Sequence, residues 1–230
     1  VGVAAGYRLV WANSRFTQGW ITRYWGLRSE VLYPPVDVDT FAIDRTRRAG
    51  WTGTGVLHAQ NDAAMPYILS VGRFFAGQHN KQHLTLIRAF RDLIDGGLQG
   101  WELRLVGGSM PGAAHAAYLE QVRAAAQGYP IHIETDLPFA QLVERYQGAA
   151  VYWHAAGYGE DEQAAPIKAE HFGITTVEAM AAGAPVLCHA IGGAKESLEV
   201  EAAAGVGGSV DVTDDDALAQ ALGAILADGR

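Results

Sequence analysis

The chain has 230 residues, 49% of them hydrophobic, enough for one sizeable core or for one domain plus part of another. Its formal net charge is −8 and it carries no broad basic run, which argues against a nucleic-acid partner and leaves small anionic ligands open, since a few placed cations and helix N-termini suffice for those. A lone cysteine, Cys188, excludes an intrachain disulfide, and no apolar stretch of about 18 residues is present to span a bilayer.

Cys188 closes the apolar run from Ala184 and reads as a buried strand residue, with no helix start or basic neighbour to activate it. No signal peptide is visible, and the first residue is Val. The chain therefore reads as a fragment of a cytoplasmic protein, with peripheral contact at the inner membrane face left open for the full-length protein.

In chain order, Tyr7 to Trp11 reads as a strand, Phe16 to Trp25 as a helix and Glu30 to Tyr33 as a second strand. Pro34-Pro35 can continue neither ladder nor helix and marks a hinge. Residues 42–65, rich in Gly, Thr and Ala, read as a linker loop; the pair Gly53-Thr-Gly55 there lacks a preceding strand. Strands and helices then alternate. Strands are predicted at Tyr67 to Val71, Glu102 to Val106, Ile131 to Ile133, Ala150 to Trp153, Pro185 to His189 and Ser209 to Val212. Helices are predicted at Lys81 to Ile94, Ala113 to Gln127, Phe139 to Gln147, Thr176 to Ala182, Ala194 to Val200 and Asp215 to Ala227. Such alternation predicts an α/β fold, a Rossmann-like doubly wound parallel sheet, whose ligands lie outside the carboxyl ends of the strands. The acidic run Asp214-Asp215-Asp216 is most simply a favourable start for the last helix.

Two segments carry chemistry. The loop from Gly72 through Arg73, Gly77 and Asn80 to Lys81 leaves a strand and opens a helix. With Asn80 as N-cap it forms an anion cradle, in which Arg73 could fork two phosphate oxygens and Lys81 add a point charge. It is not a Walker A loop, and no G-x-G-x-x-G follows a strand anywhere, which disfavours a nicotinamide dehydrogenase. The second segment is Glu170 to Glu178, where Phe172-Gly173-Ile174 reads as a tight turn presenting backbone N–H groups, and carboxylates that can accept from a sugar or ribose diol. Thr175 to Glu178 also fits a capping box, with Thr175 as N-cap and Glu178 in the first turn. His79 and His83 have helical ligand spacing without an evident third ligand, so no metal site is expected. His154, at a strand end, reads either as an orienting group for phosphate or sugar or as a structural histidine.

The run Glu170-His-Phe-Gly-Ile-Thr-Thr-Val-Glu178-Ala-Met-Ala-Ala-Gly-Ala-Pro-Val resembles the E-x7-E region of family 4 (group 1) glycosyltransferases. The likeness extends to Ser70-Val-Gly-Arg73 with Lys81, to Gly192-Gly-Ala-Lys-Glu196, and to Asn13-Ser-Arg-Phe and Val31-Leu-Tyr-Pro-Pro-Val-Asp37, so that it covers nearly the whole chain in order. It implies the C-terminal, nucleotide-sugar-binding half of a GT-B fold. Residues 1–41 would be the last unit of the acceptor domain plus the linker strand, 42–65 a linker loop and 66–230 the donor domain.

By the same resemblance Arg73, Lys81 and Gly72 would hold the donor diphosphate. Glu170, with Phe172, Gly173 and Ile174, would hold the sugar, Glu170 being the catalytic residue. Glu178 would hold the ribose, and Glu134, Thr135, Asp136 and Leu137 would border the base. The family usually has glycine where Thr135 stands, and it reaches its first Glu sooner after the preceding strand than this chain does. Residues 154–169 thus read as an insertion, either a surface excursion or a lid that shapes the acceptor side.

The implied activity is hexose transfer from a nucleoside diphosphate sugar such as UDP- or GDP-hexose, with retention and without cofactor or obligatory metal. The acceptor would be a glycan, a lipid-linked sugar or a small molecule, and an N-terminal acceptor domain is expected in the full-length protein. A non-hydrolysing sugar-nucleotide epimerase of the same fold, and a catalytically silent nucleotide-sugar-binding fragment, are the rival readings.

Overall fold

Helix α1 (Arg15–Trp25) shows why its sequence folds locally: the Ser14 side chain accepts the N–H of Thr17, and the chain leaves the helix at Gly26 with a bond back to the Thr22 carbonyl. The computed structural model describes residues 6–43, 65–203 and 210–211. Strand β1 (Trp11–Ala12) pairs in parallel with β2 (Glu30–Val31), both shorter than expected, as a two-stranded sheet of their own. Past the proline pair, α2 (Val38–Phe41) is capped by Asp37. Its Phe41 ring inserts edge-on against Tyr146 at 5.2 Å and Phe139 at 5.9 Å, which pins this segment to the larger unit. Of the linker expected at 42–65, residues 44–64 lie outside the described residues, as do the last helix and Asp214 to Asp216.

The larger unit is a six-stranded parallel sheet of β3 (Tyr67–Val71), β4 (Glu102–Gly107), β5 (Ile131–Thr135), β6 (Val151–His154), β7 (Val186–Cys188) and β8 (Val210–Asp211), in the order β5-β4-β3-β6-β7-β8. Its helices are α3 (His83–Asp95), α4 (Ala113–Ala126), α5 (Phe139–Gly148), α6 (Ile174–Ala181) and α7 (Ala194–Ala203). Alternate strand residues sort to two faces, as the two-residue pleat requires. Ile68, Leu103, Leu105 and Trp153 pack with Leu86, Phe90 and Val122 of α3 and α4. Leu69, Val71, Val106, Tyr152 and Val186 pack with Tyr146 of α5 and Ala179 of α6 on the other face. Both faces are covered, which is why these strands read as apolar runs rather than alternations. Cys188 lies buried in β7. Counted from β3, the order is the doubly wound one, and the direction of winding reverses between β3 and β6.

Three local expectations are corrected. Helix α3 begins at His83, not Lys81, with Gln82 in the left-handed region (φ 58°) at the cap position. Asn80 closes an Asx turn instead, its Oδ1 accepting the Gln82 N–H at 2.7 Å and the Tyr118 hydroxyl at 3.0 Å. Lys81 therefore sits in the loop. His79 precedes the helix as well, so it and His83 do not have the helical geometry their spacing suggested. His83 is in the core, stacked on Phe74 at 4.6 Å and 3.2 Å from the Tyr118 hydroxyl, with burial pushing its imidazole down to about 4. The capping box at Thr175 does not form. Gly173, at φ 87°, starts α6 ahead of it and leaves Glu178 a full turn inside the helix. The Glu178 carboxylate accepts the Tyr146 hydroxyl at 2.7 Å.

Glu196, on the first turn of α7, joins the two sheets. Its buried carboxylate accepts the N–H groups of Arg15 (3.0 Å) and Phe16 (2.9 Å) and the hydroxyl of Tyr33 (2.7 Å). It thus satisfies the orphan donors at the α1 N-terminus from about 180 residues away. Glu196→Ala leaves three polar groups without an acceptor. The expected loss is about 1–3 kcal/mol, read as a lower urea midpoint at unchanged m-value.

Candidate functional site

The reversal of winding opens a cleft of about 650 Å³ outside the carboxyl ends of β3 and β4, bounded by the start of α6. Its floor depends on close backbone approach. A Cβ on Gly107 would stand 1.9 Å from the Gly72 carbonyl, and one on Gly72 would meet the Lys81 Cγ at 2.6 Å. The stem of Lys81 lies across Gly72 and delivers its ammonium to Glu170. The Gly72 N–H is spent on the Val106 carbonyl at 2.9 Å, so Gly72 contributes space rather than a donor. Arg73 is exposed at the cleft edge and takes no ion pair or hydrogen bond from the described residues.

Glu170 is the most constrained group in the cleft. Its Oε2 receives the Lys81 ammonium and lies 3.1 Å from Nε2 of His154, while Oε1 accepts the N–H of His171 at 3.1 Å. Burial alone would raise this carboxyl; the imidazole of His154 and the ammonium of Lys81 outweigh it and hold the group far below the usual carboxylate range. His154 is buried, and its Nε2, although 3.1 Å from Glu170, makes no well-aligned hydrogen bond to the described residues.

The loop that carries Glu170 is braced from behind. Gly193 donates to the Glu170 carbonyl at 2.7 Å, Gly192 donates to the Glu162 carboxylate at 3.0 Å, and a Cβ on Gly193 would fall 1.9 Å from the His171 carbonyl. The insertion after β6 is packed rather than detached: Ala155, Ala156 and Ala169 are buried, and Gln163 accepts from Arg23 of α1 at 3.0 Å.

At the mouth, Phe172 packs on Tyr33 with ring centroids 5.7 Å apart, and His171 lies 4.6 Å from His79. The N–H groups of Phe172, Gly173 and Ile174 take no acceptor among the described residues.

The structure thus brings Gly72, Arg73, Lys81, Asp136, Leu137, Glu170, Phe172, Gly173 and Ile174 to one cleft. Three expected residues stand apart. Glu134 is paired with Arg145 (2.8 Å) and Arg104 (3.5 Å), and Thr135 stays in the β4–β5 ladder opposite Gly107. Glu178 is half-buried against Tyr146, its carboxyl raised by burial and lowered in part by that hydroxyl. Asp136 holds a left-handed backbone (φ 56°), and its carboxylate is fixed by the Ser109 N–H and hydroxyl at 2.9 and 2.6 Å. Sequence reasoning missed the pairing of His154 with Glu170, the brace at Gly192-Gly193 and the cleft positions of Asn13 and Pro34. The histidine was visible at a strand end and the other three within motifs of the resemblance, but none of these signals pointed to its contact.

Residues 59–230 match the family model for glycosyl transferases group 1. The chain belongs to this family. Among curated relatives, this group 1 glycosyltransferase is 28% identical over 200 residues to GDP-Man:Man(3)GlcNAc(2)-PP-Dol alpha-1,2-mannosyltransferase of Xenopus laevis and 29% identical over 202 residues to that of Homo sapiens. Each match covers 84% of this chain and 36% of the relative, so the chain spans about a third of the relatives' length.

Among solved structures, sucrose-phosphate synthase from Thermosynechococcus elongatus superimposes with a TM-score of 0.69 at 25% identity, over 99% of this chain and 51% of the other. Anabaena HepE in complex with UDP and glucose superimposes with a TM-score of 0.66 at 18% identity, over 96% of this chain and 54% of the other. The fold shared with these glycosyltransferases is the Rossmann-like α/β architecture described above. Among the described residues of the glycosyltransferase, no helix is long and apolar enough to cross a membrane.

Because its pKa is depressed, Glu170 contributes stability that is present above the ordinary carboxyl value of 4.5 and is lost as pH falls through the folded value. Unfolding free energies measured by denaturant titration between about pH 5 and about pH 3 should therefore fall more steeply for the unaltered chain than for Glu170→Gln, by up to about 1.4 kcal/mol per pH unit. Equal slopes would show that the carboxylate is not held ionised by its neighbours.

Proposed function

We propose that this chain is the donor-binding part of a retaining glycosyltransferase that moves a hexose from a nucleoside diphosphate sugar to an acceptor. The observation that supports this most directly is the convergence, in one cleft at the switch point of the sheet, of two cations, a buried ionised carboxylate and amides at the start of α6 that take no acceptor among the described residues. Arg73, which takes no ion pair or hydrogen bond among the described residues, and Lys81 would bind the diphosphate and stabilise the charge that grows on it as the glycosidic bond breaks. Glu170, with the Phe172–Ile174 amides, would orient the sugar against an oxocarbenium-like centre, as a positioning acceptor rather than an attacking group.

Asp136 and Leu137 border the far end of the cleft, where the base would lie. Glu178 keeps a ribose role on the resemblance alone; its second oxygen takes no donor from the described residues, but it stands outside the cleft lining. The acceptor wall of the site would come from the part of the protein that the longer relatives possess. Residues 1–230 alone would then bind the donor and turn it over poorly.

The names of the related proteins bring two donor bases into view, GDP in the mannosyltransferases and UDP in HepE. Calorimetric titration of the chain with UDP-, GDP- and ADP-hexoses identifies the donor. Arg73→Ala and Lys81→Ala should each weaken the bound one by about tenfold or more, the loss expected for one charge-assisted contact. Unchanged affinity in both variants would refute the diphosphate assignment, and an epimerised sugar formed from donor alone would favour the epimerase reading.

A further inference from the structure

Lys81 has two claims on it. Its ammonium is the cationic partner of Glu170 in the structure, and on the reading above it is also a ligand of the donor diphosphate. If it follows the diphosphate, the carboxylate it leaves has only 12% of its side chain exposed. A buried carboxylate stripped of its cation is strongly disfavoured, or takes up a proton. The cleft can release Lys81 cheaply only if something else holds Glu170.

His154 is placed to do that. It ends β6, at the switch point, and only 2% of its side chain is exposed. Its ring is stacked on that of Tyr152 at 6.4 Å with an interplanar angle of 17°, while Tyr152 is itself buried and stacked on Tyr146. The imidazole therefore has little freedom to follow a ligand. Its Nε2 is buried, lies 3.1 Å from Oε2 of Glu170, and makes no hydrogen bond of good alignment to any described residue, so a small turn of the ring is all that would be needed to bond that oxygen. Both Lys81 and His154 address the same oxygen, so one can replace the other without turning the carboxylate, whose Oε1 stays on the His171 N–H. Lys81 has the freer side chain of the two: its four-carbon stem lies across Gly72 at the cleft floor, and the side chain is 21% exposed, against 2% for His154.

Resting on the donor reading, we infer that His154 is a positioning residue that anchors Glu170 and thereby frees Lys81 for the diphosphate. Without His154, Glu170 keeps Lys81 for itself, and a nucleoside diphosphate binds to a cleft that has lost one of its two cations. With Glu170 neutral there is no charge to anchor, and His154 no longer matters to nucleotide affinity. A merely structural histidine would matter equally in both cases.

The test is a double-mutant cycle on the full chain, with His154→Ala, Glu170→Gln and the pair, titrated with UDP, GDP and ADP and read on whichever the unaltered chain binds. His154→Ala is expected to weaken that nucleotide by about tenfold, and by less than about twofold in the Glu170→Gln background. Equal weakening in both backgrounds, or none in the first, overturns the inference. Should His154→Ala fail to fold by circular dichroism, His154→Gln and His154→Asn replace it. Only the longer glutamine amide reaches Oε2, so Gln should stay within about threefold of the unaltered chain and Asn should not. Equal affinities for the two amides overturn the anchor. An unaltered chain that binds none of the three nucleotides refutes the donor reading itself, an outcome distinct from any of these.

Discussion

A carboxylate cannot stay ionised out of water unless positive charge and hydrogen-bond donors are brought to it, and Glu170 sets that requirement for the whole cleft. The groups that meet it come from three parts of the chain. Lys81 arrives from the loop after β3, His154 from the end of β6, and the His171 amide from the residue next along. None of these partners is local in sequence except the last. The doubly wound order is what puts them together, because β3 and β6 are neighbours in the sheet although their paired positions Leu69 and Tyr152 are 83 residues apart in the chain. The cleft is thus a consequence of strand order, and the charge pattern in it a consequence of burial.

Missing side chains do as much as present ones. Gly72 and Gly107 bring two strand ends closer than any Cβ would allow, and Gly193 meets the backbone of His171 from behind. These contacts place backbone against backbone, so the Glu170 loop is held without side chains that would fill the cleft. The same loop presents its amides at the start of α6, where Gly173 alone adopts the left-handed turn that leaves them unpaired. On the opposite side, Glu196 ties α1 and Tyr33 to the first turn of α7, and Tyr33 in turn carries the ring of Phe172. One buried carboxylate shapes the cleft and another fastens the smaller sheet beside it.

Much of the fold was legible because apolar periodicity and strand–helix alternation act over a few residues. β3 was read to the residue, and α4 and α5 to within one at each end. Where local rules competed, tertiary contacts chose. Asn80 and Thr175 are both good N-caps in isolation, yet Asn80 serves a turn and Tyr118, while Gly173 starts α6 before Thr175 can. Glu178 looked like a capping partner and is bonded to Tyr146 of another helix. The resemblance put Glu134 beside the base, but it lies within β5 and is paired with Arg104 and Arg145.

The sequence by itself determined the α/β class, the family likeness and the two segments, Gly72 to Lys81 and Glu170 to Glu178, from which most of the cleft is built. These follow from residue type and spacing, which need no partner to be read. The tertiary structure decided which charges meet. That Lys81 and His154 both approach one oxygen of Glu170, and that Glu178 turns to Tyr146, depend on contacts between residues far apart in the chain. Spacing carries no record of such contacts, because the energy of a buried charge is set by what the fold packs around it.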